Sequence, residues 1–83
     1  MRMGTIEVFQ KFKLKVGLVI AARVLDGVLV PGSVIDFDGK KATVKSLQVD
    51  RKDVPEGTPG MEVGALVEGV TAEDVENKQY SFE

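Results

Sequence analysis

Lys11, Lys13 and Lys15 alternate along one short stretch, and Phe9 precedes them at the same spacing. In an extended chain alternate side chains point the same way, so these four residues share a face. A row of ammonium groups is suited to phosphate oxygens, and an exposed aromatic ring stacks on a nucleic-acid base. Arg23 extends the row if its segment runs beside the first. Arg51 and Lys52 form a second cationic pair in a polar loop, followed by Asp53 and Glu56. Each group also has a plainer reading. Lysines on a sheet edge prevent edge-to-edge pairing, and mixed charges in a loop keep it solvated.

Other chemistry has little to work with. The chain has no histidine and no cysteine, which removes the commonest acid–base group and all thiolate ligands. Ser33, Ser46 and Ser81 therefore lack a base of the usual kind. No glycine-rich phosphate loop or dinucleotide fingerprint occurs. Asp36-Phe37-Asp38-Gly39 opens like a calcium loop, but Lys40 and Lys41 follow where oxygen ligands are needed, so a hairpin turn is expected. Glu73, Asp74 and Glu76 fit the acidic start of a short helix. The expectation is a binding module with no catalytic residue, no cofactor and no metal.

Eighty-three residues make one small domain, residues 1–83. Its 43% hydrophobic and 29% charged residues suit a folded globular chain, and a net charge of −2 gives no global pull toward nucleic acid. Any RNA contact must come from a local patch. No apolar run reaches the roughly 20 residues of a membrane span. Residues Met1 to Glu7 lack the apolar core of a signal peptide, so the cytoplasm is the expected compartment.

The elements that must position these residues read as strands. Ile6, Val8, Phe12, Leu14 and Val16 share one parity, interrupted only by Gln10, and are expected on the core. Leu18, Ile20, Ala22 and Val24 continue that parity, as one long bent strand or as two joined at Gly17. Asp26-Gly27, Pro31-Gly32 and Asp38-Gly39 are tight-turn dipeptides. Ala42 and Val44 are out of phase with Leu47 and Val49, and a β-bulge near Lys45-Ser46 would bring both pairs to the core. Arg51 to Pro59 reads as a loop. Met61, Val63, Ala65 and Val67 form another strand face. Thr71 caps a single helical turn with Asp74 reaching back, and Tyr80 to Phe82 supply a closing strand. The expected fold is all-β, a small closed antiparallel barrel of about six or seven strands.

The ordered motifs resemble the second domain of translational GTPases of the elongation factor Tu, elongation factor 1 alpha and initiation factor 2 type. Gly17, Val19, Arg23, Val24, Gly27, Leu29, Gly32 and Ile35 fall at the places of the family's G-x-V-x-x-G-R-V-x-x-G-x-[IV]-x-x-G-x-x-[VI] pattern. Val44 to Gln48, Pro59 to Gly69 and Ala72 to Val75 resemble the segments that follow, so the resemblance spans about residues 16–82. Ile6-Glu7-Val8-Phe9 is one acidic residue shorter than the family's I-E-D-V-F, and Lys78-Gln79 stands where a Gly-Asp is usual. The resemblance implies a barrel that sits beside a GTPase domain, touches the ribosome and, in elongation factors, holds the aminoacyl end of tRNA. The GTPase domain itself is not in this sequence. The partners implied are ribosomal RNA, tRNA or a translation factor. Protein–protein binding or a structural barrel unrelated to translation is the alternative, and the small barrel subunit of box H/ACA pseudouridylation particles is a further comparison.

Overall fold

The computed structural model describes residues 3–83, so Met1 and Arg2 of the signal-peptide reading lie outside the described residues. Seven strands form one antiparallel sheet: β1 (Gly4–Leu14), β2 (Gly17–Asp26), β3 (Val34–Phe37), β4 (Lys40–Val49), β5 (Lys52–Asp53), β6 (Glu62–Glu68) and β7 (Gln79–Phe82). Their order is β3-β7-β1-β2-β6-β4-β5, and a β3–β4 pairing closes the first six into a barrel with β5 appended to β4. Ala72–Asp74 form one turn of 3-10 helix between β6 and β7.

The core is the interior of this barrel. Ile6, Val8, Leu18, Ile20, Ala22 and Val24 come from β1 and β2, and Val63, Ala65 and Val67 from β6. Removing such aliphatic surface from water is what holds a small β domain together. Phe37 and Tyr80 meet edge to face with centroids 4.7 Å apart, and the Tyr80 hydroxyl accepts the Glu76 N–H at 2.8 Å. The ring has its polar end satisfied while its body fills the barrel.

Several local readings are realised. Asp38 and Gly39 both take positive φ (56° and 98°) in the two-residue turn between β3 and β4. That is the backbone a tight hairpin needs. The β4–β6 ladder slips between Val44 and Ser46, so Ala42, Val44 and Leu47 are all buried. The Asp74 carboxylate accepts both the N–H and the hydroxyl of Thr71.

Three expectations are corrected. Phe12, Leu14 and Val16 are exposed instead of buried, because the β1–β2 ladder slips between Val8 and Gln10. Val8 faces Ala22, Gln10 faces Ala21, and Phe9 is the extra residue. The bulge inverts the phase of everything after it. Asp26-Gly27 does not join paired strands: β2 pairs with β1 and β6, and the chain leaves it as a loop tied down by a Leu29–Gly57 bridge. Arg51 to Pro59 is not all loop, because Asp50 and Arg51 form a two-residue turn (φ 51° and 66°) that folds β5 back on β4.

Candidate nucleic-acid interface

β1 and β2 form a hairpin around Lys15 and Val16 whose outer part extends past β7, which pairs with β1 only from Gly4 to Glu7. All the residues of the expected phosphate stripe on β1 stand on this outer part. Directly opposed residues share a face of the sheet. Lys11 lies opposite Ile20 and Lys13 opposite Leu18, and both of those partners are buried. These two lysines therefore spring from the concave side of the hairpin. Phe12, opposite Val19, belongs to the outer side.

The stripe is not chemically uniform. The Lys11 ammonium donates to the backbone carbonyls of Ala72 and Val75, which ties β1 to the 3-10 turn. Arg23 is ion-paired with Glu62, its cross-strand neighbour, with Glu7 opposite on the other side. The hydrogen bond that Arg23 donates to the Glu62 carboxylate, and that carboxylate's charge, raise the guanidinium pKa above its ordinary value. Lys13 and Lys15 have no hydrogen-bond or ion-pair partner among the described residues. Phe9 is 45% exposed at the bulge. Arg51 and Lys52 are exposed on the far side of the sheet. Four strand steps separate them from β1 in the order β1-β2-β6-β4-β5, roughly 19 Å along the sheet. The structure thus gathers Phe9, Lys13 and Lys15 on one arm, occupies Lys11 and Arg23, and keeps Arg51 and Lys52 apart.

The outer face holds residues that the sequence reading left out. A cross-strand row runs Phe12, Val19, Leu66, Ser46, and the next runs Gln10, Ala21, Gly64, Gln48. Between them lies a shallow depression of about 140 Å³, walled by Leu14, Val16, Val19 and Leu66, with Gly64 as floor and Gln48 as a polar group. Gln10 was the available signal: a polar residue at a core position is what a change of phase produces.

Opposite charges elsewhere brace the barrel. Lys40 bonds Asp74 at 2.7 Å and Lys78 bonds Asp38 at 2.6 Å. The Lys40 ammonium, helped by the Thr71 N–H, holds the Asp74 carboxyl down at about 2. The Asp38 carboxylate raises the Lys78 pKa. These cations are engaged at structural joints.

The family model for elongation factor Tu domain 2 matches residues 17–77. The chain belongs to that family. A curated relative, elongation factor 1-alpha 1 of Euplotes crassus, is 40% identical over 62 residues, covering 72% of this chain and 14% of the relative. The elongation factor Tu domain 2 fold is equally evident in three dimensions. The apo crystal structure of translation elongation factor SelB from Methanococcus maripaludis superposes with a TM-score of 0.86 at 20% identity, over 98% of this chain and 18% of that one. This domain 2 relative therefore spans less than a fifth of the proteins it resembles. Its 83 residues contain the barrel and no GTPase domain.

Proposed function

We propose that the chain is a non-catalytic binding module of translation, acting in the cytoplasm, that contacts ribosomal RNA or tRNA through the β1–β2 hairpin. The observation that carries this reading is that two half-exposed rings, Phe9 and Phe12, and two unengaged lysines, Lys13 and Lys15, stand on the same hairpin arm, with Phe12 on its outer side and Lys13 on its concave side. Rings that accept a base and cations that accept a phosphate are the two parts of a single-strand platform. The depression beside Val19 and Leu66 provides an apolar seat next to them. Lys11 and Arg23 keep their intramolecular partners, and Arg51 with Lys52 forms a separate, second phosphate contact. A translation factor that presents RNA at this face is an equivalent partner.

The test is binding of a labelled single-stranded RNA by fluorescence anisotropy across a salt series. Lys13→Ala with Lys15→Ala is expected to flatten the slope of log affinity on log salt by about 1.4, from ~0.7 per lost contact. An unchanged slope, or no binding by the parent at low salt, removes the RNA reading. GTP turnover by the pure chain would overturn its non-catalytic character.

A further inference from the structure

The outer half of β1 has a bare edge. The β7 ladder ends at Glu7 and Gln79, and one more bond, from the Val8 N–H to the Lys78 carbonyl at 2.9 Å, closes it. From there to Leu14, β1 pairs with β2 alone among the described residues. Such an edge presents N–H donors and C=O acceptors by turns. Phosphate oxygens satisfy the donors and leave the carbonyls unmatched, whereas a polypeptide backbone satisfies both.

Charge selects among polypeptides. None of the thirteen acidic residues of the chain falls between Val8 and Ala22, while Lys11, Lys13 and Lys15 do. A second copy of this edge would set lysines against lysines, which is unfavourable across a sheet. A strand carrying carboxylates meets the opposite result from the same lysines. The two faces of β1 differ as well. The concave face carries Lys11 and Lys13, and the outer face carries Phe12 and Leu14, 43% and 53% exposed. A cleft of about 290 Å³ at this end of β1 is lined by Lys13, Leu14 and Leu18 of the hairpin and by Val70, Ala72 and Glu73.

We propose that the bare edge of β1, from Phe9 to Leu14, docks an extended peptide in which acidic and apolar residues alternate. The peptide adds as a strand, its carboxylates beside Lys13, the concave-face lysine with no partner among the described residues, and its apolar side chains beside Phe12 and Leu14. The site shares Phe12 and Lys13 with the RNA surface proposed above, but its defining bonds come from the backbone of the strand, which the RNA reading does not use.

The experiment is a titration of the full chain, followed by amide chemical shifts, with an end-capped heptapeptide of alternating valine and glutamate at low salt. The largest shifts are expected from Phe9 to Leu14. The same peptide N-methylated at alternate residues, which removes its ladder donors, is expected to bind about tenfold more weakly. Lys13→Glu with Lys15→Glu should weaken the glutamate peptide and strengthen a valine–lysine one. Should that double variant not fold, the N-methylated comparison on the parent chain decides alone. No binding at millimolar peptide, equal binding after N-methylation, or shifts centred elsewhere would overturn the proposal.

Discussion

The ammonium of Lys11 donates to the carbonyl oxygen of Val75, 64 residues further along the chain. A second bond goes to Ala72. One side chain thus fastens the 3-10 turn to the first strand, bonding the Val75 carbonyl and adding a second donor to the Ala72 carbonyl that already accepts the Val75 N–H. Lys11 sits in the middle of the phosphate stripe expected from sequence, yet its charge is committed to the fold.

Lys11→Ala is therefore expected to lower stability by about 1 kcal/mol, the scale of charge-assisted hydrogen bonds at a partly solvated site. It should leave the salt slope of RNA binding unchanged. Urea unfolding and the anisotropy series check the two halves. A lost phosphate contact without loss of stability would return Lys11 to the interface.

Asp74 makes stability depend on acidity in a definable window. Its carboxyl falls from 3.8 unfolded to about 2 folded, chiefly through Lys40 and then Thr71. A depressed carboxyl contributes stability above its unfolded pKa and loses it as pH falls through the folded value. The difference in urea midpoint between the parent and Asp74→Asn should be constant above pH 5 and shrink as the pH approaches 2. A difference that stays constant throughout would mean that the Lys40 bond is not formed in solution.

The turn at Asp50 and Arg51 holds two non-glycine residues at positive φ. Side chains there cost about 1–2 kcal/mol per residue relative to glycine, asparagine and aspartate less. Asp50→Asn with Arg51→Gly is expected to raise stability by about 1 kcal/mol, read as a higher urea midpoint. If it also weakens RNA binding, Arg51 keeps its strained backbone in the service of contact.

Phe12 and Phe37 separate surface from core. Phe12 is 43% exposed and Phe37 is 1% exposed. Phe12→Ala should leave the unfolding midpoint nearly unchanged and weaken RNA by about 1–3 kcal/mol, the value of one stacked base. Phe37→Ala should cost about 3–5 kcal/mol of stability. Thermal melts of both variants, paired with RNA titrations, check the assignment.

What could be read from the residues alone follows from how local each signal is. The Asp38-Gly39 hairpin, the Thr71 and Asp74 cap and the slip near Lys45 are each written within a few residues, and all occur. The slip at Phe9 is not so written. Beyond it aromatic and aliphatic residues alternate with lysines, so either phase looks amphipathic, and only Gln10 marks the change. The β4–β5 turn was hidden because Asp50 and Arg51 lack the glycine that announces such turns. The occupation of Lys11 and Arg23 depends on Val75 and Glu62, which sequence spacing does not bring near.

The closure of the barrel by β7 bears on how this chain folds and fails to fold. Four residues, Gln79–Phe82, bridge β1 and β3, with Gly4 meeting Phe82 across almost the whole chain. The β1–β2 and β3–β4 hairpins are local and can form early, but the last seam waits for contacts of very high sequence separation, which slows barrel formation. Until then β1 and β3 are open edges carrying Ile6, Val8 and Ile35, and intermediates of that kind stick to one another. Refolding yield should therefore fall with protein concentration far more steeply in a chain weakened at Tyr80 or Phe82 than in one weakened at β5. A strand of only four residues decides whether the sheet is a closed surface or a template for aggregation.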